Sequence, residues 1–326
     1  MIDEETIAAI STPPGAGAIA IVRLSGPAAW QIVESIFRAA PPAGATSPAQ
    51  LHPRTASHGF IDDADGAVLD EVVVLPYRGP HSYTGEDLIE IDCHGSPFLT
   101  HQILHLCLSK GARLARAGEF TQRAYLNGRM DLTQAEAVLD LVQAKTGRQS
   151  RQALSAMRGE VGGKIRELRT TLIELLSRVV AGIDFPEEVG DVPLDDVEDV
   201  VGRTRTALEQ LALTVRSGRF LREGLRLAIV GKPNAGKSSL LNQLLKFDRA
   251  IVTDVPGTTR DSLEELIDVN GIPVILIDTA GIRDTEDQVE QIGIERTYRA
   301  VEHCDLALFV ADVTTDWSDD DRLIAK

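Results

Sequence analysis

Apolar and polar residues alternate at strand spacing in the first third of the chain and recur at helical spacing through its middle. Residues 18–24 form an apolar run closed by Ser25-Gly26-Pro27, which predicts a strand and a turn. Residues 28–38 carry Trp30, Val33, Ile36 and Phe37 at helical spacing, and the Pro/Ala/Ser/Gly-rich stretch 41–53 reads as a loop. Strand-like runs follow at 55–61, 67–76 and 88–93, broken by turn residues at 62–66 and 78–80, and residues 98–109 are an amphipathic helix. Residues 1–125 are therefore mixed α/β.

From Asp131 the period changes. Thr133-Gln134-Ala135-Glu136 matches a capping box, with Ala135, Val138, Leu139 and Val142 on one helical face. A longer helix is expected through Leu154, Met157, Val161, Ile165, Leu168, Leu172, Leu175 and Val179, stopped at Phe185-Pro186. An acidic connector reaches Pro193, and residues 197–215 predict another helix. Residues 126–219 are thus expected to form a separate helical domain, and 220–326 a third, α/β domain. There, residues 225–230 and 306–311 are strand-like and 289–301 helical. Runs at 262–269 and 272–277 are split by Asn270-Gly271, a strong hairpin signal.

Composition changes this picture little. The hydrophobic share is 43% and the charged share 25%, as in a soluble globular protein. Cys93, Cys107 and Cys304 lie far apart without metal spacing, which fits a reducing compartment. No signal peptide or apolar stretch of spanning length is present, so a cytoplasmic protein is expected, with no membrane partner. The net charge of −16 argues against a surface that binds nucleic acid everywhere. Lys and Arg gather between Lys110 and Arg178, whereas Asp184 to Asp199 carries no base. A polyanion would be sought on the basic middle, although a solvated helix face is the better account of it.

The third region carries the chemistry. Gly231-Lys232-Pro233-Asn234-Ala235-Gly236-Lys237-Ser238 fits G-x-x-x-x-G-K-[ST], with a strand before it and, from Ser239, helical spacing after it. Glycines let backbone N–H groups turn onto phosphate oxygens, and a helix N-terminus adds partial positive charge. Lys237 would reach the β- and γ-phosphates, and the Ser238 hydroxyl would hold Mg²⁺. Thr253-Asp254-Val255-Pro256-Gly257-Thr258-Thr259 follows, where a switch threonine completes the metal shell. Asp278-Thr279-Ala280-Gly281 closes a predicted strand, the place of a Walker-B aspartate. In this order the three motifs identify a Ras-like GTPase fold with a mostly parallel sheet. Asn234 to Ser239, Thr253 to Thr259 and Asp278 to Gly281 are its expected GTP-binding residues. Ile282 occupies the position of a water-orienting glutamine and can neither donate nor accept. Glu290 is a candidate for that task, with a solvated helix carboxylate as the alternative. The Asn234 amide could hold a monovalent cation against the phosphates, or could simply be a tolerated polar residue.

The whole chain resembles one family, the tRNA modification GTPases known as MnmE or TrmE. The resemblance rests on Thr12-Pro13-Pro14-Gly15, Ile21-Val22-Arg23-Leu24-Ser25-Gly26, Ser82-Tyr83-Thr84-Gly85-Glu86-Asp87 and His94-Gly95. It continues through the run from Gly118-Glu119-Phe120-Thr121 to Asn127-Gly128, Ala135-Glu136-Ala137 and Ile183-Asp184-Phe185-Pro186. It implies an N-terminal α/β domain that binds folate and dimerises, a helical domain, and an inserted GTPase domain. It further implies a homodimer working with the flavoprotein MnmG (GidA), as a heterotetramer, on C5 of the wobble uridine of tRNA. The one-carbon unit would come from a tetrahydrofolate, the 5-formyl or methylene derivative. By resemblance Arg23, Glu90 and Arg129 hold the folate, Arg129 standing where a lysine is common. Asn234, Thr253, the Val255 backbone and Thr258 become a K⁺ shell, Ser238 and Thr259 Mg²⁺ ligands, and Glu290 the residue that positions water. Potassium would bind as two GTPase domains meet, so hydrolysis should depend on dimerisation.

Ala117 and Ser96 replace a usual proline and glycine, and local loop changes are expected there. The family's guanine-reading N-K-x-D loop, two further strands and a C-terminal Cys motif are not among the 326 residues, so a C-terminally truncated chain with an incomplete GTPase domain is expected. Two other classes fit parts of the pattern. A ribosome-assembly GTPase shares the nucleotide motifs, and a non-catalytic folate-binding dimerisation fragment would need only the N-terminal ones.

Overall fold

The computed structural model describes residues 5–40, 51–63, 65–232, 235–247, 265–277, 301–314, 317 and 322. The chain forms two compact units that divide between Ala135 and Glu136.

The first unit begins with β1 (Ile7–Ile10), β2 (Ile19–Ser25), α1 (Ala29–Glu34), β3 (Phe37–Ala39) and β4 (Ser57–Asp62). β5 (Val68–Tyr77), β6 (Leu88–His94), α2 (Pro97–Ser109), β7 (Arg113–Leu114) and α3 (Glu119–Leu126) follow. The strands form one seven-stranded sheet in the order β3-β4-β5-β6-β2-β1-β7, antiparallel except where β1 meets β7. Period-2 alternation divides its faces. Val22, Leu24, Ile89, Ile91 and Cys93 point into the core with Trp30 and Val33 of α1 and Ile103 and Cys107 of α2. Burial of each large aliphatic there stabilises by about 1.5–3 kcal/mol. The intervening residues carry the polar face, where Arg23 stands directly across from Glu90 and Ile21 from Asp92.

The helix expected over 28–38 ends at Glu34. The Ser35 hydroxyl turns back to the Ile32 carbonyl at 2.7 Å, and Phe37 to Ala39 leave to pair with β4. α4 (Leu132–Gln143) is capped by Asp131 rather than by the expected Thr133 box. Asp131 Oδ1 accepts the Gln134 N–H at 3.0 Å and the Thr133 hydroxyl at 2.7 Å, while Gln134 Oε1 accepts the Asp131 N–H at 2.8 Å.

In the second unit the single long helix expected across Leu154 to Val179 is two, α5 (Gly147–Met157) and α6 (Glu160–Asp184). Gly159, at φ 75°, turns the chain between them. The stop at Phe185-Pro186 holds, with a short α7 (Pro186–Val189) after it. α8 (Leu194–Glu223) starts earlier and ends later than its apolar spacing suggested. β8 (Leu225–Val230), α9 (Lys237–Phe247), β9 (Glu265–Val269), β10 (Ile272–Ile277) and β11 (Leu306–Phe309) then build a four-stranded sheet in the order β11-β8-β10-β9. β8, β10 and β11 are parallel, and β9 is joined antiparallel to β10 by the Asn270-Gly271 turn. Both turn residues have positive φ, 54° and 85°, as a type I′ hairpin requires. Among the described residues no helix is long and apolar enough to cross a membrane.

Candidate functional site

β8 is the strand at which the second sheet changes direction of winding, with β10 on one side and β11 on the other. Ligands of open α/β sheets bind beyond the carboxyl ends of strands at such a point. The carboxyl ends of all three parallel strands lie at one edge, since Ile277 pairs with Ala228 and Phe309 with Val230. The G-x-x-x-x-G-K-[ST] loop leaves β8 here. Gly231 has φ 148°, and a Cβ on it would lie 2.2 Å from the Val310 carbonyl oxygen, so no side chain fits. Lys237 opens α9 and curls back over the loop. Its ammonium donates to the Gly231 carbonyl at 2.7 Å and to the Lys232 carbonyl at 2.5 Å. Half-burial pushes its pKa below the usual lysine range. A cation tethered above a turn that opens a helix fits an anionic phosphate group. Ala235, Gly236, Ser238 and Ser239 lie on the same turn and first helical turn. Asn234, Thr253 to Thr259, Asp278 to Gly281 and Glu290 lie outside the described residues, although β10 ends at Ile277, one residue before Asp278.

The first unit brings its three expected residues toward one loop. Arg23 donates through Nε and Nη2 to Glu90 Oε1, at 2.8 and 2.6 Å. Its guanidinium lies 5.5 Å from the Tyr83 ring centroid and 5.6 Å from that of Phe120. Arg129 donates from Nε to the Ser82 carbonyl at 3.0 Å, one residue before Tyr83. Glu90 Oε2 and the terminal nitrogens of Arg129 have no partner among the described residues. An acceptor oxygen and two guanidinium groups suit a ligand with N–H donors at one end and carboxylates at another.

Sequence reasoning missed what holds this loop. Glu119, 2% exposed, accepts Arg113 Nη2 at 2.6 Å and the Arg116 N–H at 2.7 Å, and pairs with Arg123 at 3.4 Å. These contacts, Arg113 first, hold its pKa down at about 2. Arg123 continues to Glu86 Oε2 at 3.0 Å, which also accepts the Ser25 hydroxyl at 2.8 Å. Thus α3, β7, β2 and the Ser82–Glu86 loop are tied by one chain of ion pairs and hydrogen bonds. A signal was present, since Glu119 and Arg123 are four apart in the run Gly118-Glu119-Phe120-Thr121-Gln122-Arg123 and meet on one helical face.

Comparisons with known proteins bear on both units. The family model for the GTP-binding protein TrmE N-terminus matches residues 6–129, and that for a 50S ribosome-binding GTPase matches residues 226–326. The tRNA modification GTPase MnmE of Acetivibrio thermocellus is 46% identical over 326 residues, 99% of this chain and 70% of that protein. The same-named proteins of Aquifex aeolicus and Geobacillus kaustophilus are each 48% identical, over 98% and 100% of this chain and 70% and 71% of their own lengths. The chain belongs to the tRNA modification GTPase MnmE family. Membership fits the sheet order around β8 and accounts for finding a TrmE-type N-terminus and a GTPase-type sheet in one chain.

Proposed function

We propose that this chain hydrolyses GTP in the service of tRNA modification. The observation that carries the reading is Lys237, folded over the β8 loop where the strand order reverses, in a chain aligned over 99% of its own length with an MnmE protein. Lys237 is the phosphate ligand, Ser238 and Thr259 are the Mg²⁺ ligands, and Asn234, Thr253, Val255 and Thr258 form a K⁺ shell. Mg²⁺ and K⁺, when bound, neutralise charge that grows on the phosphates. Glu290 positions the attacking water, the task Ile282 cannot perform. The first unit holds a tetrahydrofolate on Arg23, Glu90 and Arg129, with Tyr83 and Phe120 keeping the Arg23 guanidinium in place. The protein acts as a cytoplasmic homodimer with a flavoprotein partner, installing a (carboxymethyl)aminomethyl group at C5 of the wobble uridine. Its parts are a folate-binding domain over 1–125, a helical domain over 126–219 and a GTPase domain over 220–326. The TrmE-type match over residues 6–129 favours this reading over a ribosome-assembly GTPase, which has no need of a folate pocket.

GTP turnover measured in K⁺ and in Na⁺, across protein concentration, tests the reading. Faster turnover in K⁺ that rises with concentration is expected, and equal rates in both salts would remove the potassium mechanism. Glu290→Ala should keep nucleotide binding while losing turnover by about a hundredfold or more. Tetrahydrofolate titration of Arg23→Ala should show weakened binding, and unchanged affinity would take the folate away from this site.

A further inference from the structure

Among the described residues two side-chain polar atoms are buried without a hydrogen-bond partner, Trp30 Nε1 and Asp92 Oδ1. The indole belongs to the apolar core of the first unit, whereas Asp92 stands on the opposite face of the sheet. Period 2 puts it on the same face of β6 as Glu90, about 7 Å further along the strand. Its cross-strand neighbours are Ile21 of β2 and Val73 of β5, and neither side chain has a donor. On the adjoining rung, Arg23 gives its Nε and Nη2 hydrogen bonds to Glu90 Oε1. Burial first, and the Glu90 charge second, raise the Asp92 pKa, as aliphatic neighbours and a second acid require.

A carboxylate left in this way costs the fold stability, which is expected where a group serves a ligand instead. Asp92 as a residue is only partly covered, and the Cβ–Cγ torsion of an aspartate is soft, so either oxygen can turn outward. Glu90 Oε2 is the other acceptor without a partner among the described residues. Two such acceptors spaced along one strand, beside a guanidinium, fit a flat heterocycle with N–H donors on more than one edge. The pterin ring of a tetrahydrofolate is such a heterocycle. We propose that Asp92 is a further ligand-binding residue of the Arg23–Glu90 pocket, accepting a pterin N–H beside Glu90, so that the ligand and not the fold supplies its hydrogen-bond donor. The proposal deepens the reading of this pocket as a tetrahydrofolate site and rests on it.

The test is calorimetric titration of 5-formyltetrahydrofolate into the unsubstituted protein, Asp92→Asn and Arg23→Ala, with denaturant unfolding of each free protein. Asp92→Asn should bind about tenfold or more weakly, while its unfolding midpoint at pH 7 rises. Opposite signs in affinity and stability are the signature, since a side chain with only a structural role would not lose affinity as it gains stability. Unchanged affinity in Asp92→Asn, with Arg23→Ala still weakened, overturns the role of Asp92 and leaves the folate reading standing. A lowered midpoint in Asp92→Asn would show that the carboxylate has a donor within the fold, and overturns the role as well. Absence of tetrahydrofolate binding in the unsubstituted protein, or affinity unchanged in both variants, overturns the folate reading of this pocket and the role of Asp92 with it.

Discussion

Glu119 pairs with Arg113, Arg116 and Arg123 and accepts a backbone N–H inside the first unit, and its stability contribution has a definite pH window. Its folded pKa of about 2 lies below the ordinary 4.5 of a glutamate, so the contribution is fully present above about pH 5. It is lost as pH falls through that interval toward 2. Glu119→Gln leaves Arg113 and Arg123 without their shared carboxylate and should cost about 3 kcal/mol at pH 7. Denaturant unfolding of both proteins from pH 7 to pH 3 should show the gap narrowing in acid. A gap that stays constant would mean that the carboxylate's charge does not matter. Asp92 has the opposite sign. Burial first, and Glu90 second, raise its pKa, and its Oδ1 is buried without a partner among the described residues. Its ionised form is therefore destabilising above the ordinary carboxylate range, and Asp92→Asn should stabilise the protein at pH 7 more than at pH 4. Gly231→Ala is expected to be severe, costing at least about 1–3 kcal/mol from backbone strain alone and losing nucleotide binding as the loop yields to Val310.

At the scale of elements, α4 offers a direct contest between two caps. Thr133-x-x-Glu136 satisfies the capping pattern, yet Asp131-x-x-Gln134 does so two residues earlier and takes the Thr133 hydroxyl as a donor. Asp131→Ala should cost about 1 kcal/mol and Thr133→Ala only a few tenths, read as shifts in denaturation midpoint. Features written locally were legible in the sequence: the β8–loop–α9 unit, the Asn270-Gly271 hairpin, β5, β6 and α2. Features that depend on distant partners were not. β7 has only two residues and exists because Arg113 and Leu114 pair with Ile7 and Ala8. The Glu119 chain joins residues from Glu5 to Arg123, which no window of sequence connects. The break at Gly159 was hidden because Leu154, Met157 and Val161 keep helical spacing straight across it. Of the candidate site, the Gly231-to-Ser238 motif was legible in the sequence, whereas the Arg23–Glu90 rung, Tyr83, Phe120 and the Ser82–Glu86 loop are brought together only by the fold.

For the whole molecule, the division between Ala135 and Glu136 places the two proposed ligands on different units, and each should then stabilise its own. A ligand that binds only the folded form adds RT ln(1 + [L]/Kd), about 2.7 kcal/mol at a hundredfold excess over Kd. Mg²⁺-GTP should raise the unfolding midpoint of the unit that holds Lys237, and a tetrahydrofolate that of the unit that holds Arg23 and Glu90. Units with separate cores need not melt together, so two transitions are expected in calorimetry, identified by substitution. Glu119→Gln should lower only the folate-responsive transition and Gly231→Ala only the other, while also removing its response to GTP. A single transition that both ligands raise equally would show that the two units unfold as one, and the sites would then be coupled through stability whatever their chemistry.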